Sequence, residues 1–226
     1  MLQARLIPIF AGLRKAVGNR LAFFHRSSEA ISQATARNRF DTRKWNLELL
    51  KQLEWRRFEE LCVAYYQALG FKTQLEGLGA DGGIDIVLQG GASAPGTSIA
   101  RCKAWDAHRV GSKTVKELRT AMTSAKVTDA VLLTSGRFTQ EAIDLARKER
   151  IETVDGAGLI EKMAALPTEQ SLALLKFATQ GDFLTPTCPR CSVKMVSRQS
   201  TKGGRKFWGC KNYPQCKQTL FVSAPG

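Results

Sequence analysis

Two groups of residues in this chain have types and spacings that could do chemistry. The first is Gly79-Ala80-Asp81-Gly82-Gly83-Ile84-Asp85-Ile86, two aspartates flanking a glycine pair at the entry to an apolar run. It is followed, past a second glycine-rich stretch, by Arg101-Cys102-Lys103 at the end of another strand-like segment. A carboxylate on one strand and a lysine on its neighbour is what metal-assisted phosphodiester hydrolysis requires. The carboxylate holds Mg2+ (or Mn2+), the ion polarises the phosphate and activates a water, and the lysine orients that water or offsets developing charge. Standing alone, the two aspartates are equally what caps a turn.

The second group is Cys188-Pro-Arg-Cys191 and Cys210-Lys-Asn-Tyr-Pro-Gln-Cys216. Two close pairs at this separation suit a four-cysteine structural Zn2+ site, each pair directing two thiolates at one ion. Two disulfides are the alternative. A segment of about forty residues buries too little to fold on its own core, so a metal has to supply the missing stabilisation. Between and beside the pairs, Phe207, Trp208 and Tyr213 offer faces for base stacking, while Arg205, Lys206 and Lys211 can follow phosphates. Each ring could instead pack around the zinc site. Cys62 and Cys102 read as buried thiols, and His25 and His108 fall in no ligand spacing.

The elements that must position these groups follow from periodicity. Phe58, Leu61, Cys62, Tyr65 and Leu69 make one helical face, closed by Gly70 where a C-terminal cap glycine belongs. Strand-like segments follow at Phe71–Leu75, Ile84–Leu88 and Ser98–Ala104, divided by Gly77–Gly83 and Gly90–Gly96. Lys113–Ala125, Thr139–Glu149 and Gly158–Ala165 read as helices, with strands at Ala130–Thr134 and Ile151–Val154 between them. The order αβββαβαβα points to an α/β fold with a mixed sheet flanked by helices.

Four regions result. Residues 1–44 are a basic segment, with Leu2, Leu6, Ile9, Leu13, Val17 and Leu21 at amphipathic helical spacing and a polar linker after residue 26. Such a helix can lie on a membrane surface, act as a transit segment or fold back on the main domain. Residues 45–166 form the α/β domain, 167–185 a connecting helix or linker, and 186–226 the cysteine module.

Charge divides along the same lines. Of the formal +14, residues 1–44 hold nine Lys/Arg against Glu29 and Asp41, and residues 185–226 hold eight Lys/Arg and no acid, leaving the middle near neutral. A balanced core with basic ends is the pattern of a polyanion-binding protein. No apolar run reaches the length of a spanning helix, which excludes an integral membrane protein of that kind and gives a cytoplasmic location as the expectation.

Two resemblances sharpen the reading. Cys-Pro-x-Cys, Met195, Lys202-Gly203-Gly204 and Phe207-Trp208-Gly209-Cys210-Lys211-Asn212-Tyr213-Pro214-Gln215-Cys216 closely resemble the C-terminal zinc ribbons of bacterial type I DNA topoisomerases. That resemblance implies a grip on single-stranded DNA. Phe58-Glu59-Glu60-Leu61, Ala68-Leu69-Gly70-Phe71, Gly79–Ile86, Cys102-Lys103 and Thr134-Ser135-Gly136-Arg137-Phe138-Thr139 with Glu141-Ala142 look like the Mrr-type branch of the PD-(D/E)xK restriction endonucleases. The resemblance implies a restriction-endonuclease-like fold cutting duplex DNA with Mg2+ in restriction or repair. Asp85 and Glu59 would be the metal ligands and Lys103 the catalytic lysine, side by side with Asp85 on the adjacent strand. A homodimer would give one site per strand.

One position departs from the pattern. Where that family carries Gln or an acid two residues before the lysine, this chain has Arg101, whose guanidinium has no acceptor atom and a permanent charge. Either Glu59, Asp85 and a strand carbonyl suffice for one Mg2+, or Arg101 contacts the scissile phosphate, or Arg101 weakens Mg2+ binding and leaves a DNA-binding protein that retains the nuclease fold. Asp81 or Glu76 could supply a migrated carboxylate, and a nuclease acting on RNA is a third reading, because stacking is indifferent to the sugar.

Overall fold

The computed structural model describes residues 41–78, 84–90, 96–104, 109–200 and 203–221. The basic amphipathic helix expected over 1–26, most of its linker, Asp81 in the glycine turn, Lys202 and His108 lie outside these residues.

Helix α1 (Leu47–Gln52) starts at Asn46, whose side chain accepts the Leu49 N–H at 2.8 Å, an N-cap bond that satisfies a free helix donor. Helix α2 (Trp55–Ala68) buries Phe58, Leu61, Cys62 and Tyr65 on the expected stripe. It ends in the two hydrogen bonds of a glycine cap. Gly70 N–H donates to Gln67 O at 2.9 Å and Phe71 N–H to Tyr66 O at 3.1 Å, with Gly70 at φ +87° where a side chain would be strained.

The main sheet has the order β1-β2-β3-β4-β5: β1 (Lys72–Leu78), β2 (Ile84–Gln89), β3 (Thr97–Lys103), β4 (Ala130–Thr134) and β5 (Ile151–Val154). The first three run antiparallel, and β3, β4 and β5 run parallel. The parallel crossovers are α3 (Ser112–Ala125) and α4 (Gln140–Lys148), followed by α5 (Gly156–Ala164) and α6 (Thr168–Thr179).

Alternation along the strands builds two cores, since successive residues point to opposite faces. On one face Ile86, Leu88, Ala100, Cys102 and Leu133 pack against Leu49 and Leu50 of α1, Phe58 and Leu61 of α2, Leu159 and Met163 of α5, and α6. On the other, Ile99, Ala130 and Leu132 meet Val115, Leu118 and Met122 of α3 and Ala142 and Ala146 of α4. Each fully buried side chain of this size contributes about 1.5–3 kcal/mol.

The segment expected as a connection, 167–185, is in fact part of the first core. Leu174, Leu175, Ala178 and Phe183 are buried within it, and the Arg57 guanidinium lies over the Phe177 ring at 5.2 Å. The remaining strands β6 (Val196–Gln199), β7 (Lys206–Gly209) and β8 (Thr219–Phe221) form an antiparallel three-stranded sheet in that order, next to the four paired cysteines. Among the described residues, no helix is long and apolar enough to cross a membrane.

Candidate active site and metal centre

Sheet register decides which chemical residues meet. In the β2–β3 ladder position 85 is the direct partner of Arg101, and Ile84 is that of Cys102. Two-residue alternation therefore puts positions 85, 101 and 103 on one face, with Arg101 and not Lys103 directly across from 85. The expected side-by-side placement of Lys103 and Asp85 is corrected to a diagonal one, one pleat further along. On the other side, β4 runs parallel and places Thr134 beside Lys103. Thr134 is fully buried, and its Oγ1 accepts the Gly136 N–H at 3.1 Å, holding the turn Ser135-Gly136 against the strand ends.

Arg101 and Lys103 are each only 6% exposed. Two neighbouring buried cations are costly unless they are compensated, and both engage partners. Glu59 is 2% exposed on the buried face of α2; it too has a partner, although its Oε2 carries no hydrogen bond.

Topology brings Glu59 to the same end of the sheet. The C-terminus of α2 turns through Gly70 directly into β1, so the helix runs back over the strands. Its fourteen residues span about 21 Å at about 1.5 Å each, the length of β1. The first turns of α2 thus lie towards the end where β3 and β4 finish, the carboxyl end at which open α/β sheets place their ligands. Glu59 comes from the helix covering the face opposite Arg101 and Lys103. Glu59 and position 85 thus belong to opposite faces at the same end of the sheet, and a carboxylate is a hard oxygen donor of the kind that Mg2+ takes.

At the cysteine module, Sγ atoms of Cys188, Cys191, Cys210 and Cys216 all lie within 4.8 Å of one another, and none of the six cysteines is in a disulfide. A tetrahedral ion with Zn–S of about 2.3 Å requires S···S edges of about 3.8 Å. The Cys188 and Cys216 sulfurs are 3.8 Å apart, far beyond the roughly 2.05 Å of a disulfide. The ligand set therefore fits zinc and excludes the disulfide alternative in this structure. Burial pushes the Cys210 thiol up to about 12, whereas the Gln218 backbone N–H holds Cys216 down to about 7. Four such sulfurs cannot be ionised together without a cation among them.

The surface of the module sorts its aromatics. Trp208 packs against the cysteines, the structural role open to it, and Phe207 is half-buried. Tyr213 is 60% exposed, and Arg205, Lys206 and Lys211 are also exposed. Sequence reading missed Arg198, whose guanidinium lies 5.5 Å from the Tyr213 ring centroid. Its chain crosses Gly209, where an added Cβ would come within 2.8 Å of Arg198 Cδ and Nε. A glycine in an otherwise regular strand is the only sequence signal for that crossing. Arg198, Phe207, Tyr213 and Lys217 line a groove on this surface.

Two family models match separate parts of the chain. Residues 50–163 match the Mrr catalytic family, described as restriction endonuclease, and residues 185–224 match the topoisomerase DNA-binding C4 zinc finger. Among curated proteins, DNA topoisomerase 1 of Pyrococcus horikoshii is 28% identical over 99 residues, covering 42% of this chain and 14% of that protein. DNA topoisomerase 1 of Archaeoglobus fulgidus is 34% identical over 76 residues, covering 33% and 11%. The chain thus spans about a seventh or less of these relatives. Among solved structures, the DNA modification-dependent restriction endonuclease AspBHI gives a TM-score of 0.40 at 18% identity, covering 57% of this chain and 38% of that one. EndoMS in apo form gives 0.37 at 19%, covering 44% of each.

Proposed function

The chain belongs to the Mrr-type restriction endonuclease family, and from that premise we propose that it is a DNA endonuclease whose ribbon binds the DNA it cuts. The observation that carries the reading is the buried pair Arg101 and Lys103 at the carboxyl end of β3, register-matched to position 85 within the family-matched segment.

In this reading Asp85 and Glu59 would hold Mg2+ (or Mn2+), which would supply Lewis-acid chemistry for the scissile phosphate and an attacking water. Lys103 would orient the attacking water and offset the charge developing on the phosphate, its burial strengthening the interaction. Arg101 contacts the phosphate through its planar fork of donors. Duplex DNA lies at the nuclease end. A single strand lies along the ribbon, with Tyr213 as the stacking face and Arg205, Lys206 and Lys211 on the phosphates; Phe207 adds a partial face and Trp208 supports the fold. Two copies of the chain would supply one site to each strand.

Nicking and linearisation of supercoiled plasmid with Mg2+ or Mn2+ tests this. Activity that disappears in Asp85→Ala and in Lys103→Ala supports it, and activity that survives both refutes the site. A second reading is favoured by Arg101 standing directly opposite position 85: a site whose metal position is filled by a guanidinium and which serves DNA binding alone. A silent wild type that cuts as Arg101→Gln would establish that reading.

A further inference from the structure

The first zinc knuckle is bonded directly to the helix that carries Glu59. Glu54, the N-cap of α2, is 7% exposed, and its carboxylate takes four donors. These are Arg56 N–H at 3.1 Å, Thr187 N–H at 3.2 Å, Thr187 Oγ1 at 2.9 Å and Lys194 Nζ at 3.1 Å. Its own N–H donates to Phe183 O at 2.9 Å.

Thr187 and Lys194 are the two residues that close the knuckle. They form an antiparallel bridge around Cys188–Val193, inside which Cys188 N–H donates to Val193 O and Ser192 N–H to Cys188 O, both at 2.8 Å. The carbonyl of Thr187 accepts from Trp55 Nε1 at 2.8 Å, and Ser192 Oγ accepts from Arg56 Nη1 at 2.7 Å. Every polar group of Thr187 is thus committed to the first turn of α2. Glu59 stands five residues beyond Glu54, about 7.5 Å along the same helix.

A short knuckle has little core of its own, so its backbone is ordered by the ion its cysteines bind. We infer that Glu54 is a positioning residue that passes the order of the zinc-loaded ribbon to the first turns of α2, so that Glu59 is set for its role only while the ribbon holds zinc. The inference rests on the assignment of Glu59 to the nuclease site. The ribbon is then more than a DNA handle: its zinc is a structural effector of a reaction in which it takes no direct part.

The test uses the full chain and three readouts. The Trp55 indole N–H resonance reports the bond to Thr187, amide hydrogen exchange across 57–60 reports helix order, and the Mg2+ concentration for half-maximal cleavage reports Glu59. Removing zinc with a chelator is expected to shift the Trp55 indole signal and speed exchange at 57–60 at least tenfold. Glu54→Ala, still holding one zinc per chain, is expected to do the same. It should also raise the Mg2+ requirement at least fivefold with less than a twofold change in KM for DNA. Glu54→Gln, which keeps the shape and one acceptor oxygen, should recover most of the loss. Thr187→Val removes a single donor and supplies the same comparison should Glu54→Ala not fold.

An unmoved Trp55 signal and unmoved exchange after zinc removal would overturn the coupling. So would a Glu54→Ala protein that loses stability but keeps the wild-type Mg2+ requirement. If the wild type cuts no DNA, the indole and exchange readouts still decide the coupling, and the failure belongs to the assignment of Glu59.

Discussion

Replacing Arg101 with glutamine should tighten divalent-metal binding at the nuclease site by about a hundredfold. Directly opposed positions in an antiparallel ladder have Cβ atoms about 5 Å apart, and Arg101 is the direct partner of position 85. At an effective dielectric of about 20, a unit charge about 5 Å from a divalent ion opposes it by about 6–7 kcal/mol. A guanidinium that swings its charge to about 10 Å still leaves about 3 kcal/mol, which is about two factors of ten in affinity. The introduced glutamine also brings a carbonyl oxygen that a guanidinium lacks. Without metal the sign reverses, because removing a buried cation from beside a carboxylate position costs up to about 3–5 kcal/mol.

The assay is calorimetric titration with Ca2+, a hard-oxygen probe that leaves the thiolate site alone, alongside thermal melts with and without the ion. Arg101→Gln should melt lower than wild type in a metal chelator of low zinc affinity and regain most of the difference at saturating Ca2+. A folded Arg101→Gln protein whose Ca2+ affinity lies within twofold of wild type would refute the reasoning. It would place the metal away from position 85 and remove the basis for the disabled-site reading as well.

Further outcomes are expected at the zinc site, in the core and on the ribbon surface. Elemental analysis should find one zinc per chain. Because binding must displace protons from thiols, including the Cys210 thiol raised by burial, zinc affinity should fall as pH falls; a dye-release titration with affinity unchanged between pH 7.5 and 5.5 would contradict this. Gly156→Ala should lower the melting temperature, since its Cβ would meet Ser135 O at 2.5 Å and Leu47 Cδ1 at 2.8 Å, an overpacking worth about 1–3 kcal/mol; an unchanged melt would show that the carbonyl yields freely. Tyr213→Ala should weaken binding of single-stranded DNA by about 1–3 kcal/mol, the worth of one stacked base, at unchanged zinc content, whereas Trp208→Ala should lose zinc affinity first.

Much of the fold was legible because its signals are local. The helix expected over Thr139–Glu149 is α4, with Thr139 as an N-cap accepting the Ala142 N–H at 3.2 Å and Glu149 closing it. Strands Ala130–Thr134 and Ile151–Val154 lie where their apolar runs put them. The first strand, expected at Phe71–Leu75, extends to Leu78 through Gly77, because pairing with β2 continues past a register shift between Glu76 and Leu78. Such pairing leaves no trace in one strand's composition. Helix α1 is too short at six residues to show a period, and its start is set by Asn46. The role of α6 was hidden for a different reason: Leu174, Leu175 and Ala178 read the same whether they cover a linker or close a core, and only the α2 surface they meet decides it.

The candidate site divides the same way. Residue identity was enough for the cysteine cluster, because chelation chemistry fixes both the ligands and their spacing. It was not enough for the geometry around Asp85, where the question is which residue of β3 stands across the ladder. A one-residue difference in register would exchange Arg101 and Lys103 for Cys102 on that face. Nor could sequence reveal Glu54, whose partner Thr187 is 133 residues away and whose carboxylate reads locally as an ordinary helix cap. That separation changes the meaning of the uneven charge. The basic ribbon is not strung from a neutral core by a linker: its first knuckle is bonded to the N-terminus of the Glu59 helix, at the end of the sheet where Arg101 and Lys103 emerge. Under the proposed function, a strand gripped by the ribbon would be held next to the nuclease end, at a distance set by hydrogen bonds and not by chain slack.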